Sequence, residues 1–368
     1  MMAPFTLEVR ELSLPFRAAF EQASGRRVGS EAVFVTVARG GLSGRGEGCP
    51  RPYQTGETPA AAAAWIRGVT PRVAAEIDGL EALRAWVDAH AAEIDEHPAA
   101  WCAVETALLD LFARERAYSV EALLGVTEQP SRFRYTLAVP MRAPGRLFDV
   151  IAAMGLSEFK LKIGHDAAAD AATLAELRRR CPGASIRFDA NNAFDRDLDR
   201  ALAHLRALGP ELGPIEEPFG AGSVAEMADL ARALGVAIVV DESLRTRAEL
   251  DRLVAAAGVE WIANLKVSRL GGPLRALALV DALRAAGWPI VVGAQAGESS
   301  ILTRAGLLLA RAAGPALVGI EGGVGTLLLG WEPSQPSLHF GPGGWLDLDG
   351  FALEPCGWGL RAGPEPEG

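Results

Sequence analysis

Lysine is almost missing from this 368-residue chain. Of 36 basic side chains only Lys160, Lys162 and Lys266 are lysines, and the rest are arginines. Arginine serves salt bridges and solvated surfaces at least as well, because its guanidinium stays charged and grips carboxylates in a fork. Lysine differs in being able to give up its proton, so three lysines kept in or at the end of apolar, strand-like runs mark a place for proton transfer. Cysteine is scarce too. Cys49, Cys102, Cys181 and Cys356 are widely spaced with no CxxC pair, which excludes a zinc knuckle and a disulfide scaffold and fits reduced thiols in a cytoplasmic protein. No run of about 18 uncharged apolar residues occurs, so no membrane span is expected. The first residues lack the basic-then-apolar order of a secretory signal. Positive charge is also in deficit: 46 acidic residues against 36 basic ones give a net charge of −10, which argues against a nucleic-acid partner.

What remains is a globular composition, 49% hydrophobic and 22% charged, in a chain long enough for one large barrel with an addition. Residues 5–17 and 31–38 alternate like strands, and Gly40-Gly41 turns the second into a third at Leu42–Gly48. Two polar stretches, 20–27 and 49–56, read as loops. Thr58 and Pro59 open a helix that runs to about Glu76, and further helices are expected at about 79–96 and 99–117. From Tyr135 the rhythm changes. Apolar runs at 135–139, 159–163, 185–189, 213–216, 236–241, 261–266, 289–293 and 317–321 alternate with helical segments such as 167–180, 196–208, 223–234, 246–257, 273–286 and 299–313. Eight βα units predict a closed barrel of parallel strands. No convincing helix follows the eighth strand. The expected class is α/β, a (β/α)7β barrel with an α+β capping domain. The expected division is 1–131 for the capping domain with its specificity loops, 132–325 for the catalytic barrel, and 326–368 for a tail returning to the cap.

Barrel active sites form at the carboxyl ends of the strands. The residues that end the apolar runs are Lys162, Asp189, Glu216, Asp241, Lys266 and Glu321, with Gln295 and Glu298 after the seventh strand. Spacings of 27, 27, 25 and 25 residues from Lys162 to Lys266 place one ionisable group per βα unit at one end of the barrel. Three carboxylates on adjacent strands, Asp189, Glu216 and Asp241, suit a hard ion such as Mg²⁺, which takes oxygen ligands and keeps room for water or substrate. The histidines, His90, His97, His165, His204 and His339, fall outside these strand ends, so zinc is not expected. Lys160 and Lys162 leave the same face of one strand about 7 Å apart. At an effective dielectric near 20 they repel by about 2.4 kcal/mol, enough to lower a lysine pKa but not to neutrality without a nearby metal ion. Strands 2 and 6 face each other across the barrel. A carboxylate substrate on the metal would therefore have an amine on each face of its α-carbon, one to remove the α-proton and one to return a proton opposite. That arrangement supports racemisation and equally supports elimination.

Lys160-x-Lys162, Asp189-x-Asn191, Ile215-Glu216-x-Pro218, Asp241-Glu242-Ser243 and Leu265-Lys266 followed by Gly271-Gly272 together resemble the enolase superfamily, in its muconate lactonizing enzyme subgroup. The resemblance implies Asp189, Glu216 and Asp241 as ligands of one Mg²⁺ and Lys162 and Lys266 as the acid and base around an enediolate intermediate. It implies Lys160 beside the substrate carboxylate, with Asn191 and Glu242 supporting the ligands. Dipeptide epimerases of this subgroup carry Asp-x-Asp on the eighth strand to hold the substrate ammonium. Here the strand reads Gly319-Ile320-Glu321, a departure that argues against dipeptides while leaving Glu321 to hold a cationic nitrogen. Glu298, and Arg26 and Tyr53 in the capping loops, are further candidates for substrate contact. The expectation is a Mg²⁺-dependent racemase or epimerase acting on an amino-acid derivative. The alternative is a lyase of the same superfamily: a dehydratase, a cycloisomerase or an o-succinylbenzoate-synthase-like enzyme. The partners expected are a small carboxylate substrate and further copies of the same chain.

Overall fold

In the capping portion, three glycines in one short strand decide the packing. The computed structural model describes residues 5–22, 25–256 and 258–364, and in it β1 (Thr6–Gln22), β2 (Gly25–Arg39) and β3 (Leu42–Gly48) form an antiparallel meander. Helices α1 (Pro59–Glu76), α2 (Leu80–Ala89), α3 (Ala91–Glu96) and α4 (Pro98–Glu115) follow. Gly44, Gly46 and Gly48 alternate along one face of β3. A Cβ added to each would lie 2.2, 2.0 and 2.0 Å from the carbonyl oxygens of Ala107, Ala103 and Ala99. Two strand residues advance about 6.8 Å and four helix residues about 6 Å, so the glycine period of two meets the alanine period of four and the helix backbone lies directly on the strand. As a result α4 is buried without a break from Pro98 to Ala113.

The two polar stretches differ from each other. Residues 49–56 form a loop as expected, whereas 20–27 is mostly strand: β1 and β2 continue as a two-stranded ribbon in which Phe20 pairs with Arg27 and Gln22 with Gly25, after a register shift beyond Pro15. Backbone pairing needs no apolar alternation, so hydrophobic pattern alone cannot reveal such a ribbon. The helix expected at 79–96 is broken at His90.

The barrel consists of β5 (Leu137–Val139), β6 (Glu158–Lys162), β7 (Ser185–Asp189), β8 (Ile215–Glu216), β9 (Ile238–Val240), β10 (Trp261–Leu265), β11 (Ile290–Val292) and β12 (Leu317–Ile320), all parallel and in sequence order, after a short β4 (Arg132–Arg134) outside it. A short helix α5 (Val120–Leu124) precedes β4. A parallel bridge from Thr136 to Glu321, with the Thr136 N–H donating to the Ile320 carbonyl at 2.7 Å, joins the first strand to the eighth and closes the ring. The connecting helices are α6 (Gly145–Met154), α7 (Ala167–Arg180), α8 (Leu198–Ala207), α9 (Val224–Leu234), α10 (Arg247–Val254), α11 (Pro273–Ala285) and α12 (Ser300–Ala313). Seven helices among eight strands make the expected (β/α)7β barrel, although α6 had no clear sequence signal. After Ile320 the chain forms only short turns and the strands β13 (Ser334–Gln335), β14 (Trp345–Asp347) and β15 (Arg361–Ala362), with β14 paired to β4. Its last part reaches α4, where the Trp358 N–H donates to Asp110 at 2.9 Å and Arg114 pairs with Glu354 at 2.6 Å. Among the described residues no helix is long and apolar enough to cross a membrane.

The glycine lattice is testable. Gly46→Ala drives a methyl group into the α4 backbone and is expected to lower unfolding stability by roughly 3 kcal/mol or to prevent folding. Gly68→Ala, at an exposed position in α1 with open space around it, is expected to raise stability by about 1 kcal/mol. Urea denaturation of both variants checks the pair, and equal effects would contradict the packing described.

Candidate active site

Parallel register puts the charged groups in one row. Lys162 on β6 pairs with Asp189 on β7, and Asp189 pairs with Glu216 on β8. Asp241 and Lys266 follow the ends of β9 and β10. All five are buried. The Lys162 ammonium donates to Asp189 Oδ2 at 2.6 Å and to Asn191 Oδ1 at 2.7 Å. Across the rim, the Lys266 ammonium donates to Asp241 Oδ2 at 2.5 Å, and the fully buried Arg269 guanidinium lies 2.6 Å from Asp241 Oδ1. Lys160 sits lower in the barrel and meets three acids: Glu321 at 2.6 Å, Asp189 at 3.1 Å and Glu216 at 3.3 Å.

These contacts set the protonation states. Burial works against ionisation of Asp189, yet the Lys162 and Lys160 ammoniums outweigh it and hold the carboxyl below its ordinary value. Burial likewise opposes Asp241, where Arg269 and Lys266 prevail. Glu216 has only Lys160 against the charges of Asp189, Glu321 and Asp241, and burial together with those neighbours pushes it up to about 8. For Lys160 the lowering expected from its neighbour Lys162 is reversed, and Lys266 is raised as well. Burial does push each down, but the acids on neighbouring strands raise both above the usual lysine value. Mutual repulsion between Lys160 and Lys162 is a smaller effect than a carboxylate at hydrogen-bond distance.

Of the remaining expected residues, Asn191 and Glu321 touch this row directly, whereas Glu242, Glu298 and Tyr53 meet partners outside it. Asn191 adopts a positive φ of 44°, and its N–H donates to Asp189 Oδ1 at 3.0 Å, so it bridges Lys162 and Asp189. Glu242 accepts from the Gln54 amide at 3.1 Å. Glu321 gives Oε2 to Lys160 and Oε1 to Arg187, at 3.0 Å for the latter. Glu298 is buried in the loop after β11, accepts the Gln295 N–H at 2.8 Å, and is pushed up to about 8 by burial. Tyr53 is 45% exposed, and the Arg27 guanidinium lies 4.9 Å from the centre of its ring. Arg26 is in β2, and its side chain lies outside the described residues.

Several residues of the rim carry no signal at the strand-end position itself. Glu217, with a positive φ of 36°, is fully buried and accepts the Asp241 N–H at 2.7 Å and the Ser243 N–H and hydroxyl at 2.8 and 3.0 Å, fixing the turn that carries Asp241. Asn264, two residues before Lys266, donates to Glu216 at 2.9 Å. Gly293 makes room for it, since a Cβ there would lie 2.0 Å from Asn264 Oδ1. Arg187 stands two residues before Asp189. Residues two before a strand end point to the same side as the end, so Arg187 and Asn264 join Lys160 in a second tier, and the same period that placed Lys160 would have revealed them.

From the cap, Arg51 donates to the Glu31 carbonyl at 2.6 Å, to the Ser30 hydroxyl at 2.7 Å and to the Ala296 carbonyl at 3.2 Å. Gln54 links Glu242 to Gln295, whose amide donates to it at 3.0 Å. The capping loop is thus tied to the loops after β9 and β11.

Three hard oxygen donors on adjacent strands, with too little positive charge around the middle one, fit a divalent cation. Among the described residues no three acidic, histidine or cysteine side chains converge closely enough to hold an ion as they stand, and Asp189, Glu216 and Asp241 are each paired with a lysine.

The fold and the rim define a class: a (β/α)7β-barrel enzyme whose ionisable groups gather at the carboxyl ends of its strands. The family described as Enolase C-terminal domain-like matches residues 146–326. The chain is 30% identical over 293 residues to the N-succinylamino acid racemase of Thermus thermophilus, spanning 78% of this chain and 77% of that one. It is 29% identical over 297 residues to the aromatic dipeptide epimerase of Herpetosiphon aurantiacus, spanning 78% and 81%. Its fold matches that of the dipeptide epimerase from Methylococcus capsulatus complexed with Mg and the dipeptide L-Arg-D-Lys, with a TM-score of 0.80 and 25% identity over 97% of this chain and 99% of that one. The chain belongs to the enolase superfamily.

The buried acids around the start of α12 give a prediction. Glu332 accepts the Ser300 N–H at 2.9 Å, yet burial pushes it up to about 8, alongside Glu298. A carboxyl whose folded pKa is raised binds its proton more tightly in the native state. Its stabilisation is complete below about pH 4.5 and is lost as the pH rises towards 8. Urea midpoints are expected to fall over that range, and Glu332→Gln to flatten the slope by up to about 1.4 kcal/mol per pH unit. An unchanged slope would contradict burial as the cause.

Proposed function

We propose that this enzyme is a Mg²⁺-dependent racemase or epimerase acting at the α-carbon of a carboxylate substrate, an amino-acid derivative. The observation that carries the reading is the order of the row: Lys162 and Lys266 flank Asp189, Glu216 and Asp241, one on each side. In this reading those three carboxylates hold one divalent ion per site. When bound, Mg²⁺ supplies positive charge beside the substrate carboxylate, which makes the α-proton easier to remove. With Asp189 and Asp241 engaged in holding the ion, the Lys162 and Lys266 amines would be freed from their present carboxylate partners, and Lys266 would lose the Asp241 charge that raises its pKa. Lys162 then serves one face of the α-carbon and Lys266 the other, each able to take a proton or to return one. Lys160 balances the substrate carboxylate. Asn191 keeps Lys162 aimed at the reacting carbon, and Glu242, hydrogen-bonded to Gln54, couples the rim to the capping loop. Arg26 and Tyr53 are assigned to a distal group of the substrate. The names of the relatives, a racemase and epimerases of amino-acid derivatives, support the substrate class. A cytoplasmic homo-oligomer with a small carboxylate as its ligand completes the proposal.

The test is ¹H NMR in D₂O with Mg²⁺ and a panel of N-acylated amino acids, dipeptides, proline derivatives and sugar acids. Deuterium entering the α-position of both enantiomers, with every heavy atom retained, is the expected result. Loss of water or ring closure would instead establish a lyase. Lys162→Ala and Lys266→Ala are each expected to lower racemisation by about 10³-fold, with exchange lost from one enantiomer in the first variant and from the other in the second. Undiminished exchange in both variants would rule out this assignment of the lysines.

A further inference from the structure

Glu321 ends the eighth strand at the position where a contact to the substrate nitrogen was expected, yet both of its oxygens are already engaged. Oε2 takes the Lys160 ammonium at 2.6 Å and Oε1 takes Arg187 at 3.0 Å. Its backbone is fixed on both sides as well, by the Thr136 bridge at the barrel seam and by its own N–H donating to the Val292 carbonyl at 2.8 Å. Gly319 leaves Arg187 room: a Cβ there would lie 3.2 Å from the Arg187 guanidinium, a tight contact. Lys160 in turn stands 3.1 Å from Asp189 and 3.3 Å from Glu216. Those contacts are longer than the 2.7–2.9 Å usual for charge-assisted N–H···O bonds, whereas its bond to Glu321 is fully formed.

We propose that Glu321, braced by Arg187, is a positioning residue that holds the Lys160 ammonium back from Asp189 and Glu216 and so keeps those carboxylates available to a divalent cation. The inference rests on the reading of Asp189, Glu216 and Asp241 as the Mg²⁺ ligands. Lys160 and Mg²⁺ compete for the same oxygens. A buried ammonium cannot stay unpaired, so without Glu321 it settles onto Asp189 and Glu216. The two oxygens of Glu321 are divided between two cations, so a substrate ammonium would have to share them.

The experiment is calorimetric titration of Mg²⁺, with no substrate, into the wild type, Glu321→Gln, Lys160→Met and the double variant. Glu321→Gln is expected to weaken Mg²⁺ binding about tenfold, and Lys160→Met to strengthen it at least about tenfold more in the Glu321→Gln background than in the wild type. Equal factors in the two backgrounds would mean that Glu321 acts only as a nearby negative charge, and would overturn the proposal. So would undiminished Mg²⁺ affinity in Glu321→Gln. A wild type that binds no Mg²⁺ would overturn the underlying reading of the carboxylates instead. Should Glu321→Gln fail to fold by circular dichroism, Arg187→Lys, which keeps the charge but loses the fork, is expected to weaken Mg²⁺ binding about threefold in the wild type and not at all in the Lys160→Met background. A weakening of the same size in both backgrounds counts against the proposal.

Discussion

Hydrogen-bonded register between parallel strands is the constraint on which the rim depends. Because Lys162, Asp189 and Glu216 are direct partners across β6, β7 and β8, their side chains cannot drift apart as solvated groups would. They leave neighbouring strands about 4.8 Å apart on the same side, and burial removes the water that would screen them. Each charge must therefore be answered by a neighbour. Lys162 answers Asp189, Lys266 and Arg269 answer Asp241, and Glu216, between two other acids with only Lys160 to help, is left with its pKa pushed up to about 8. An ammonium and a divalent ion are alternative answers to the same excess of negative charge.

The cap and the barrel share one apolar core, and close backbone contacts and buried hydrogen bonds fix how the cap sits on the rim. The glycines of β3 bring α4 against the sheet, and the loop that follows β3 docks directly on the barrel, where the Cys49 N–H donates to the Ser268 hydroxyl at 2.8 Å just beyond Lys266. Glu47, the residue before Gly48, accepts from the Ser299 N–H and hydroxyl at 2.9 and 2.5 Å and so caps α12 from outside the barrel. Glu105 of α4 does the same for α11 through the Leu274 N–H at 2.7 Å. Buried carboxylates of the cap thus end barrel helices, and the positive ends of those helices favour negative charge there.

Much of this was legible in the sequence because strand periodicity and the end of an apolar run are local signals. The eight barrel strands, the row from Lys162 to Lys266 and the missing helix after β12 follow from alternation and spacing alone. Of the second tier only Lys160 was legible; Arg187 and Asn264 obey the same period of two but lie inside apolar runs, where a polar residue passes as an interruption. Glu217 and Arg269 were not legible for another reason. Each acts on a residue of its own or a neighbouring loop through a turn whose backbone angles the sequence does not display, and Glu217 adopts a positive φ that its residue type does not announce. The ribbon at 20–27 and helix α6, which begins at Gly145 just after Pro140 and Pro144, show the same limit: backbone pairing and short helices next to prolines lack a clear apolar signature.

The most direct test of the account is an anomalous-difference map from a crystal of the protein soaked in Mn²⁺, an ion that shares the preference for oxygen ligands. The account predicts one peak shared by Asp189, Glu216 and Asp241, with the Lys162 and Lys266 amines released from Asp189 and Asp241 and facing the ion from opposite sides. A map with no peak at these carboxylates, and with both lysines still paired to them, would contradict it.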